Sequence, residues 1–366
     1  MEVPLCSYFG KCNGCTLQHV AYDQQKIQKA DRVRATLQIE NLEVLSGDPY
    51  GYRNRMDFFF YPGGIGLRSK ENKVMDIESC VIADEKVNRV LAELRNFFKE
   101  ADVYDPIKKA GTWKGVMVRS GVKETAVVFS LSGSSSRLAE AVEKIERFAQ
   151  QSSGEHIGIQ YGGKERAEEL RIIKGSLYLE KVFLGKSFLY PIQGFFQNNH
   201  KVAEGIHISV NNVLQKYKSS ETTLWDVYSG VGCFGIVNAS LFKDVLLIEE
   251  FPEAVKAAQA NVVRNNVTNV KVVCLDASRL KKISAPGNLI VLVDPPRSGM
   301  DEKTIIYLKK IKPKVIMYIS CNYPQLAKDL KKFKDYKLKS AVLCDLFPQT
   351  AHCEVIAELV RTEEVK

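Results

Sequence analysis

Three observations predict an α/β protein with a doubly wound sheet in its C-terminal half, preceded by a β-rich α+β domain. From residue 224 onward, short Val, Ile and Leu runs alternate with helical segments of roughly 10 to 15 residues, the pattern of a mainly parallel sheet covered on both faces. The first of these runs ends in Gly230-Val231-Gly232-Cys233-Phe234-Gly235, where a nucleotide-binding loop would sit. The first half instead carries runs such as Phe58-Phe59-Phe60-Tyr61 followed by Pro62-Gly63-Gly64, which reads as a β-hairpin. The expected division is residues 1–185 and residues 186–366.

Taken in chain order, the first feature is a group of thiols. Cys6, Cys12 and Cys15 fall within ten residues, with Gly10, Asn13 and Gly14 between them, and Cys80 is a distant fourth. The small residues let the backbone turn tightly and aim several thiolates inward. Such a set suits a cubane [4Fe-4S] cluster, because soft thiolates favour iron–sulfur centres; four thiolates also suit a closed zinc site. The C-x5-C-x2-C spacing differs from the C-x3-C-x2-C of radical enzymes, which speaks against radical chemistry here. Next, Tyr52-Arg53-Asn54-Arg55 precedes the aromatic run, and Trp113-Lys114 and Arg119 follow. Arginine beside aromatic rings suits phosphate contact and base stacking, although a plain hairpin has the same look. The stretch SGSSSRLAEAVEKIERFAQQSSGE reads as a helix between polar loops.

In the second half, TLWDVYSG, DVLLIEE, VKVVCLD, LIVLVDPPR and KVIMYISC read as successive strands, with PEAVKAAQANVVRNN as a helix between the second and third. A glycine loop alone is a weak signal. Its neighbours sharpen it: the second strand ends in Glu249, placed to accept ribose hydroxyls, the third in Asp276, suited to an adenine edge, and the fourth in Asp294-Pro295-Pro296-Arg297. With Asp226-Val227-Tyr228-Ser229-Gly230 at the first strand, this is the pattern of S-adenosylmethionine methyltransferases. That cofactor is a cation without a pyrophosphate, so carboxylates near the loop are tolerable. The strand KVIMYIS breaks at Ser320 and Cys321 follows at once, and after Asn322 a Pro-containing helical pattern begins. Open α/β sheets place ligands at such strand ends, which makes Cys321 a candidate catalytic thiol, although a free cysteine also serves as a small buried hydrophobe. Cys274 lies in a strand pattern and is expected in the core, and His352 is expected on one strand face with Glu354.

The totals bound the setting. Of 366 residues, 52 are Lys or Arg and 43 are Asp or Glu, a formal charge of +9, which permits a polyanionic partner. Hydrophobic residues make up 45%, and no apolar run approaches the roughly 20 residues of a membrane span. No charged segment followed by an apolar leader opens the chain. A soluble, cytoplasmic monomer is expected.

These residues resemble the RNA uridine-5-methyltransferases, which methylate carbon 5 of a uracil in tRNA or ribosomal RNA. The resemblance runs nearly end to end. It rests on the cysteine set with Cys80, Gly51-Tyr52-Arg53-Asn54-Arg55, Gly194-Phe195-Phe196-Gln197-Asn198-Asn199, DPPRSG, SCN, and Phe347-Pro348-Gln349-Thr350-Ala351-His352-Cys353-Glu354. It implies a Rossmann-like methyltransferase domain preceded by a domain carrying an iron–sulfur cluster. It implies Cys321 as nucleophile and Glu354 as base. Gln197, Tyr228, Glu249, Asp276 and Asp294 are implied as S-adenosylmethionine contacts, with Gly230 and Gly232 allowing close approach. The chain departs from the common family pattern at Gln349, where histidine is frequent, and at Cys233. Many members begin with a small β-barrel before the cysteines, and only five residues stand there in this chain. That short layout resembles the branch acting on large-subunit (23S) ribosomal RNA, which is expected as substrate ahead of the T-loop uridine of tRNA. A nicotinamide oxidoreductase would explain only the glycine loop, and a non-catalytic RNA-binding protein only the cysteines and the charge.

Overall fold

The computed structural model describes residues 2–163, 166–176 and 178–362. The chain forms two compact units, one of residues 1–21 and 48–180, the other of residues 22–47 and 181–366.

In the first unit a seven-stranded sheet runs in the order Val74–Asp76, Gly64–Arg68, Arg55–Tyr61, Trp113–Ser120, Thr125–Ser132, His156–Gly163, Arg166–Lys174. Thr125–Ser132 and His156–Gly163 are parallel, and the other pairs are antiparallel. The parallel pair is joined through the helix Leu138–Gln151, the crossover that parallel strands require. The aromatic run is a hairpin strand, with Phe60 opposite Ile65 and Tyr61 opposite Gly64. Its period of two sends Met56, Phe58 and Phe60 inward. There the rings of Phe60, Phe98, Trp113, Phe129 and Phe148 meet tilted or edge to face, with centroids 5.0 to 6.1 Å apart. The helix Glu85–Phe97 starts where Asp84 accepts the Val87 N–H at 2.9 Å, and it buries Val87, Val90, Leu91 and Leu94, one helical stripe.

In the second unit an eight-stranded sheet runs in the order Leu42–Leu45, Tyr336–Cys344, Glu354–Arg361, Val315–Ser320, Leu289–Val293, Ser219–Val227, Phe242–Glu249, Val270–Cys274. Glu354–Arg361 is antiparallel to both neighbours; the remaining pairs are parallel. Leu289–Val293 and Val315–Ser320 are buried at every position, which is why they read as unbroken apolar runs. The strand order reverses between Ser219–Val227 and Leu289–Val293, the switch point where such sheets open a ligand crevice.

Residues 22–47 correct the expected division. They fall inside the expected first region, yet they cluster with the second unit. The helix Tyr22–Leu37 buries Ala30, Val33 and Leu37 in the same core as Ile316, Tyr318 and Leu326. The strand Leu42–Leu45 then adds to the sheet edge, Leu42 opposite Ala341 through Leu45 opposite Cys344. A second correction concerns Cys274, which ends its strand and is exposed rather than in the core. Among the described residues no helix is long and apolar enough to cross a membrane.

Candidate active site

The glycine loop turns sharply as it leaves Ser219–Val227. Tyr228, Gly230 and Gly232 have φ of 64°, 53° and 86°, the left-handed region that glycine enters without Cβ strain. A Cβ on Gly232 would lie 2.6 Å from Leu247 Cδ1, whereas one on Gly230 would meet nothing within 4 Å. Gly232 therefore answers a packing need, and Gly230 leaves bare backbone facing open space. A cavity of about 70 Å³ lies against this loop, lined by residues including Phe196, Gln197, His207, Tyr228, Gly230 and Asp294.

Carboxylates gather at the strand ends around it. Glu249 closes Phe242–Glu249; its Oε2 accepts the Gly230 N–H at 2.8 Å, and its Oε1 accepts from Glu250 and Phe251 at 2.9 and 3.0 Å. Asp226 is fully buried, with Oδ2 accepting the Gly235 N–H at 2.8 Å and Oδ1 unpartnered. Burial pushes its carboxyl up to about 8 against that hydrogen bond, and the charges of Asp294 and Glu249 add to the rise. Asp294 follows Leu289–Val293 directly, and burial raises it to about 7. Asp276 stands two residues beyond its strand instead of ending it. It caps the short helix Ala277–Lys282 by accepting the Ser278 N–H at 2.8 Å, which holds its carboxyl low, and it does not line the cavity.

Sheet register brings the two reactive candidates together. Ser320 is paired with Val355 in antiparallel fashion, so Cys321, one residue on, meets Glu354, one residue back. Desolvation raises the Cys321 thiol first; Glu354 and Asp294 raise it further, and Arg297 lowers it. Glu354 is 4% exposed, and its Oε2 has no partner. Burial lifts its carboxyl to about 8, Asp294 adds to the rise, and a hydrogen bond with Gln197 opposes it. Gln197 thus links the cavity to the Glu354 carboxyl. His352 does not share a strand face with Glu354. It lies before the strand begins and is exposed while Glu354 is buried.

The supports of this pair were not legible in the sequence. Asn322 caps the helix Tyr323–Leu330, and its Nδ2 donates to the Arg297 carbonyl at 2.9 Å. Buried Asp329 accepts from the Tyr318 hydroxyl at 2.8 Å, the Met300 N–H at 3.2 Å and Gln325 Nε2 at 3.0 Å, locking that helix to the DPPRSG loop. The segment leading to Glu354 is held from the helix Tyr22–Leu37. Lys29 Nζ lies 2.6 Å from Asp345 Oδ1 and donates to the Phe347 carbonyl at 3.2 Å, and Gln25 and Gln349 exchange two hydrogen bonds. Asn199 caps the helix His200–Gln215 and donates to the Leu346 carbonyl at 3.3 Å. The one sequence signal was the stripe Leu37, Val33, Lys29, Gln25, where the spacing of buried positions continues into polar residues.

In the first unit, Cys6, Cys12, Cys15 and Cys80 line one cavity of about 220 Å³ with apolar walls that include Phe9, Met56, Phe59 and Ile82. Tight turns place them: the Cys12 N–H donates to the Tyr8 carbonyl at 2.9 Å, Gly10 has φ 86°, and the Gly14 N–H donates to Cys12 Sγ at 3.4 Å. Asn88 pins Cys80 by accepting its N–H at 2.8 Å and donating to its carbonyl at 3.0 Å. Burial pushes the Cys15 thiol up to about 11; a Gln18 hydrogen bond opposes this, and the other three thiols add to the rise. Among the described residues no three His, Cys, Asp or Glu side chains converge on a single-ion site. A soft four-thiol set around one apolar cavity fits a polynuclear iron–sulfur group, in which each thiolate meets a different iron.

The profile of the family described as tRNA (Uracil-5-)-methyltransferase matches residues 18–362. The tRNA (uracil(54)-C(5))-methyltransferase of Pyrococcus abyssi is 30% identical over 366 residues, covering 98% of this chain and 86% of its own. An uncharacterized RNA methyltransferase of Caldanaerobacter subterraneus subsp. tengcongensis is 30% identical over 383 residues, 98% of this chain and 84% of its own. The crystal structure of the Pyrococcus abyssi enzyme in complex with S-adenosyl-L-homocysteine superposes with a TM-score of 0.78 at 28% identity, covering 95% of this chain and 86% of that one. With a profile that spans nearly its whole length, the chain belongs to the tRNA (uracil-5-)-methyltransferase family of RNA-modifying enzymes.

Proposed function

We propose that the protein methylates carbon 5 of a uridine in tRNA, with S-adenosylmethionine as methyl donor and a covalent Cys321–uracil bond on the way. The observation that carries this reading is the meeting of Cys321, Glu354 and Asp294 at adjacent strand ends beside the glycine loop, with Gln197 reaching them from the loop before the helix His200–Gln215. S-adenosylmethionine, when bound, supplies an electrophilic methyl group on a positively charged sulfur. Gln197, Tyr228 and Asp294, which line the cavity, with Glu249 and Asp276 at and just beyond the neighbouring strand ends, are the residues to hold it, and Gly230 keeps the loop backbone bare while Gly232 lets the loop pack on Leu247. A cavity lined by Asp294, Gln197, Tyr228 and apolar side chains, with Glu249 behind its glycine loop, suits a cationic nucleoside.

Carbon 5 of uracil is a weak nucleophile. Addition of the Cys321 thiolate to carbon 6 turns the ring into an enolate with charge on carbon 5, and the covalent route divides one hard step into easier ones. Arg297 favours the thiolate that this addition needs. After methylation carbon 5 still bears its hydrogen, which Glu354 removes so that the Cys321 sulfur can leave. A carboxyl raised to about 8 is matched to proton transfer near neutral pH. The target base must leave its stack to reach a partly buried thiol.

For the RNA, relatives named for uracil 54 of tRNA cover 98% and 97% of this chain, which favours tRNA over the large-subunit ribosomal RNA expected from the short layout. Cys6, Cys12, Cys15 and Cys80 are the residues to hold a [4Fe-4S] cluster. The test of function is tritium release from tRNA transcripts labelled at uridine carbon 5 and supplied with S-adenosylmethionine. Release with tRNA, abolished by changing the T-loop uridine, supports the reading; release only with large-subunit ribosomal RNA fragments, or with neither, contradicts it.

A further inference from the structure

The helix Tyr22–Leu37 carries four cationic side chains, and three are matched by carboxylates: Lys26 with Asp23 at 2.8 Å, Lys29 with Asp345 at 2.6 Å and Arg34 with Asp31 at 3.0 Å. Arg32 is exposed and has no carboxylate partner among the described residues. Its place in the fold gives this meaning. The helix packs against Tyr323–Leu330, which begins two residues after Cys321, and Val33 and Tyr323 share one core. The Arg32 charge reaches Tyr323 and also Cys353, the residue before Glu354. Arg297 is likewise exposed and without a carboxylate partner among the described residues. Its carbonyl is tied to Asn322, and its charge reaches Cys321 and His352.

Two exposed guanidinium groups thus stand beside the segment that follows Cys321, Arg297 tied to Asn322 and Arg32 on the helix packed against Tyr323–Leu330. An RNA strand brought to Cys321 carries a negative charge on every phosphate, and cations beside the site are what would hold its backbone there. Arginine suits that task, because its planar fork grips a phosphate bidentately. We infer that Arg32 and Arg297 form a phosphate clamp at the mouth of the site, and that Arg32 positions the RNA backbone beside the extruded uridine. This inference rests on the uridine-methylation reading.

The test compares Arg32→Ala, Arg32→Lys and, as a control on the same helix, Arg34→Ala. The quantities read are kcat/KM for tRNA methylation across a salt series and the affinity for S-adenosylhomocysteine. For Arg32→Ala we expect kcat/KM to fall about tenfold near physiological salt, the loss of one charge-assisted contact. The slope of log kcat/KM against log salt should become shallower by about 0.7 to 0.9, one phosphate's worth. S-adenosylhomocysteine affinity should stay at the wild-type value, Arg32→Lys should keep the wild-type slope, and Arg34→Ala should match wild type. A wild-type salt slope in Arg32→Ala, or an equal loss in Arg34→Ala, overturns the clamp. Should the wild-type protein methylate no RNA, the function reading fails by itself; the salt slope of equilibrium tRNA binding by wild type and Arg32→Ala then still decides the clamp.

Discussion

Replacing Glu354 with Gln removes a titrating carboxyl while keeping its size, and the structure sets what that should do. At pH 7 a group with a pKa of about 8 is ionised in roughly one molecule in eleven, and at pH 8 in half. If Glu354 removes the carbon-5 proton, decay of the covalent RNA adduct in the wild-type protein should rise about fivefold between pH 7 and 8 and level off above pH 9. Gln cannot accept that proton, so decay should slow by about 10² to 10⁴ at every pH, roughly 3 to 5 kcal/mol of barrier. The assay is rapid quench into denaturant, with adduct and free methylated RNA quantified between pH 6 and 9. Stability supplies an independent check with its own sign. The folded pKa lies above the ordinary 4.5, so the stabilising contribution present below about pH 4.5 is lost as pH rises through about 8. The Gln variant escapes that loss and should melt above wild type at pH 8 but level with it near pH 4.5. Wild-type adduct decay in Glu354→Gln would refute the reasoning, as would a pH-independent decay in the wild-type protein.

Three further outcomes follow from the same electrostatics and packing. Because Glu354 raises the Cys321 thiol and Arg297 lowers it, alkylation of Cys321 by iodoacetamide should set in at lower pH in Glu354→Gln and at higher pH in Arg297→Ala; unchanged alkylation profiles would contradict the coupling. Lys29→Ala strands Asp345 in the interior, since both side chains are nearly inaccessible. It should cost about 3 to 5 kcal/mol in denaturant unfolding and cut activity by loosening the segment that carries Glu354, whereas a Lys29→Met, Asp345→Leu double variant should recover most of the stability. Protein purified without oxygen should be brown and hold four irons per chain, a content lost on replacing Cys12 with Ala. Stoichiometric zinc in a colourless preparation would overturn the cluster assignment.

The parts of the fold legible in the sequence were those whose burial is local. Leu289–Val293 and Val315–Ser320 are covered on both faces, so their neighbours in the chain are all apolar and the strands announce themselves. The glycine loop was legible because φ and close packing restrict the residue type, as at Gly232. What escaped depends on partners far away in the chain. Lys29 and Asp345 are 316 positions apart, and apart from the helical spacing of Leu37, Val33, Lys29 and Gln25 nothing nearby marks either as buried. Leu42–Leu45 is four residues long, too short for any periodicity, so nothing local ties residues 22–47 to the second unit. Cys274 alternates correctly for a buried strand, yet its strand lies at the sheet edge, where an end position is solvated. His352 shares parity with Glu354, but the strand starts only at Glu354. The choice of RNA has no residue signature of that kind, and the short layout pointed to ribosomal RNA where the named relatives point to tRNA.

The most direct test of the account is the identity of the atom that bonds to RNA. Glu354→Gln protein incubated with a tRNA transcript and S-adenosylmethionine, then denatured and digested with protease and nuclease, should yield one peptide carrying a methylated uridine on Cys321, and Cys321→Ala should yield neither adduct nor methylated RNA. Methylated RNA from Cys321→Ala, or an adduct on any other residue, would contradict the account.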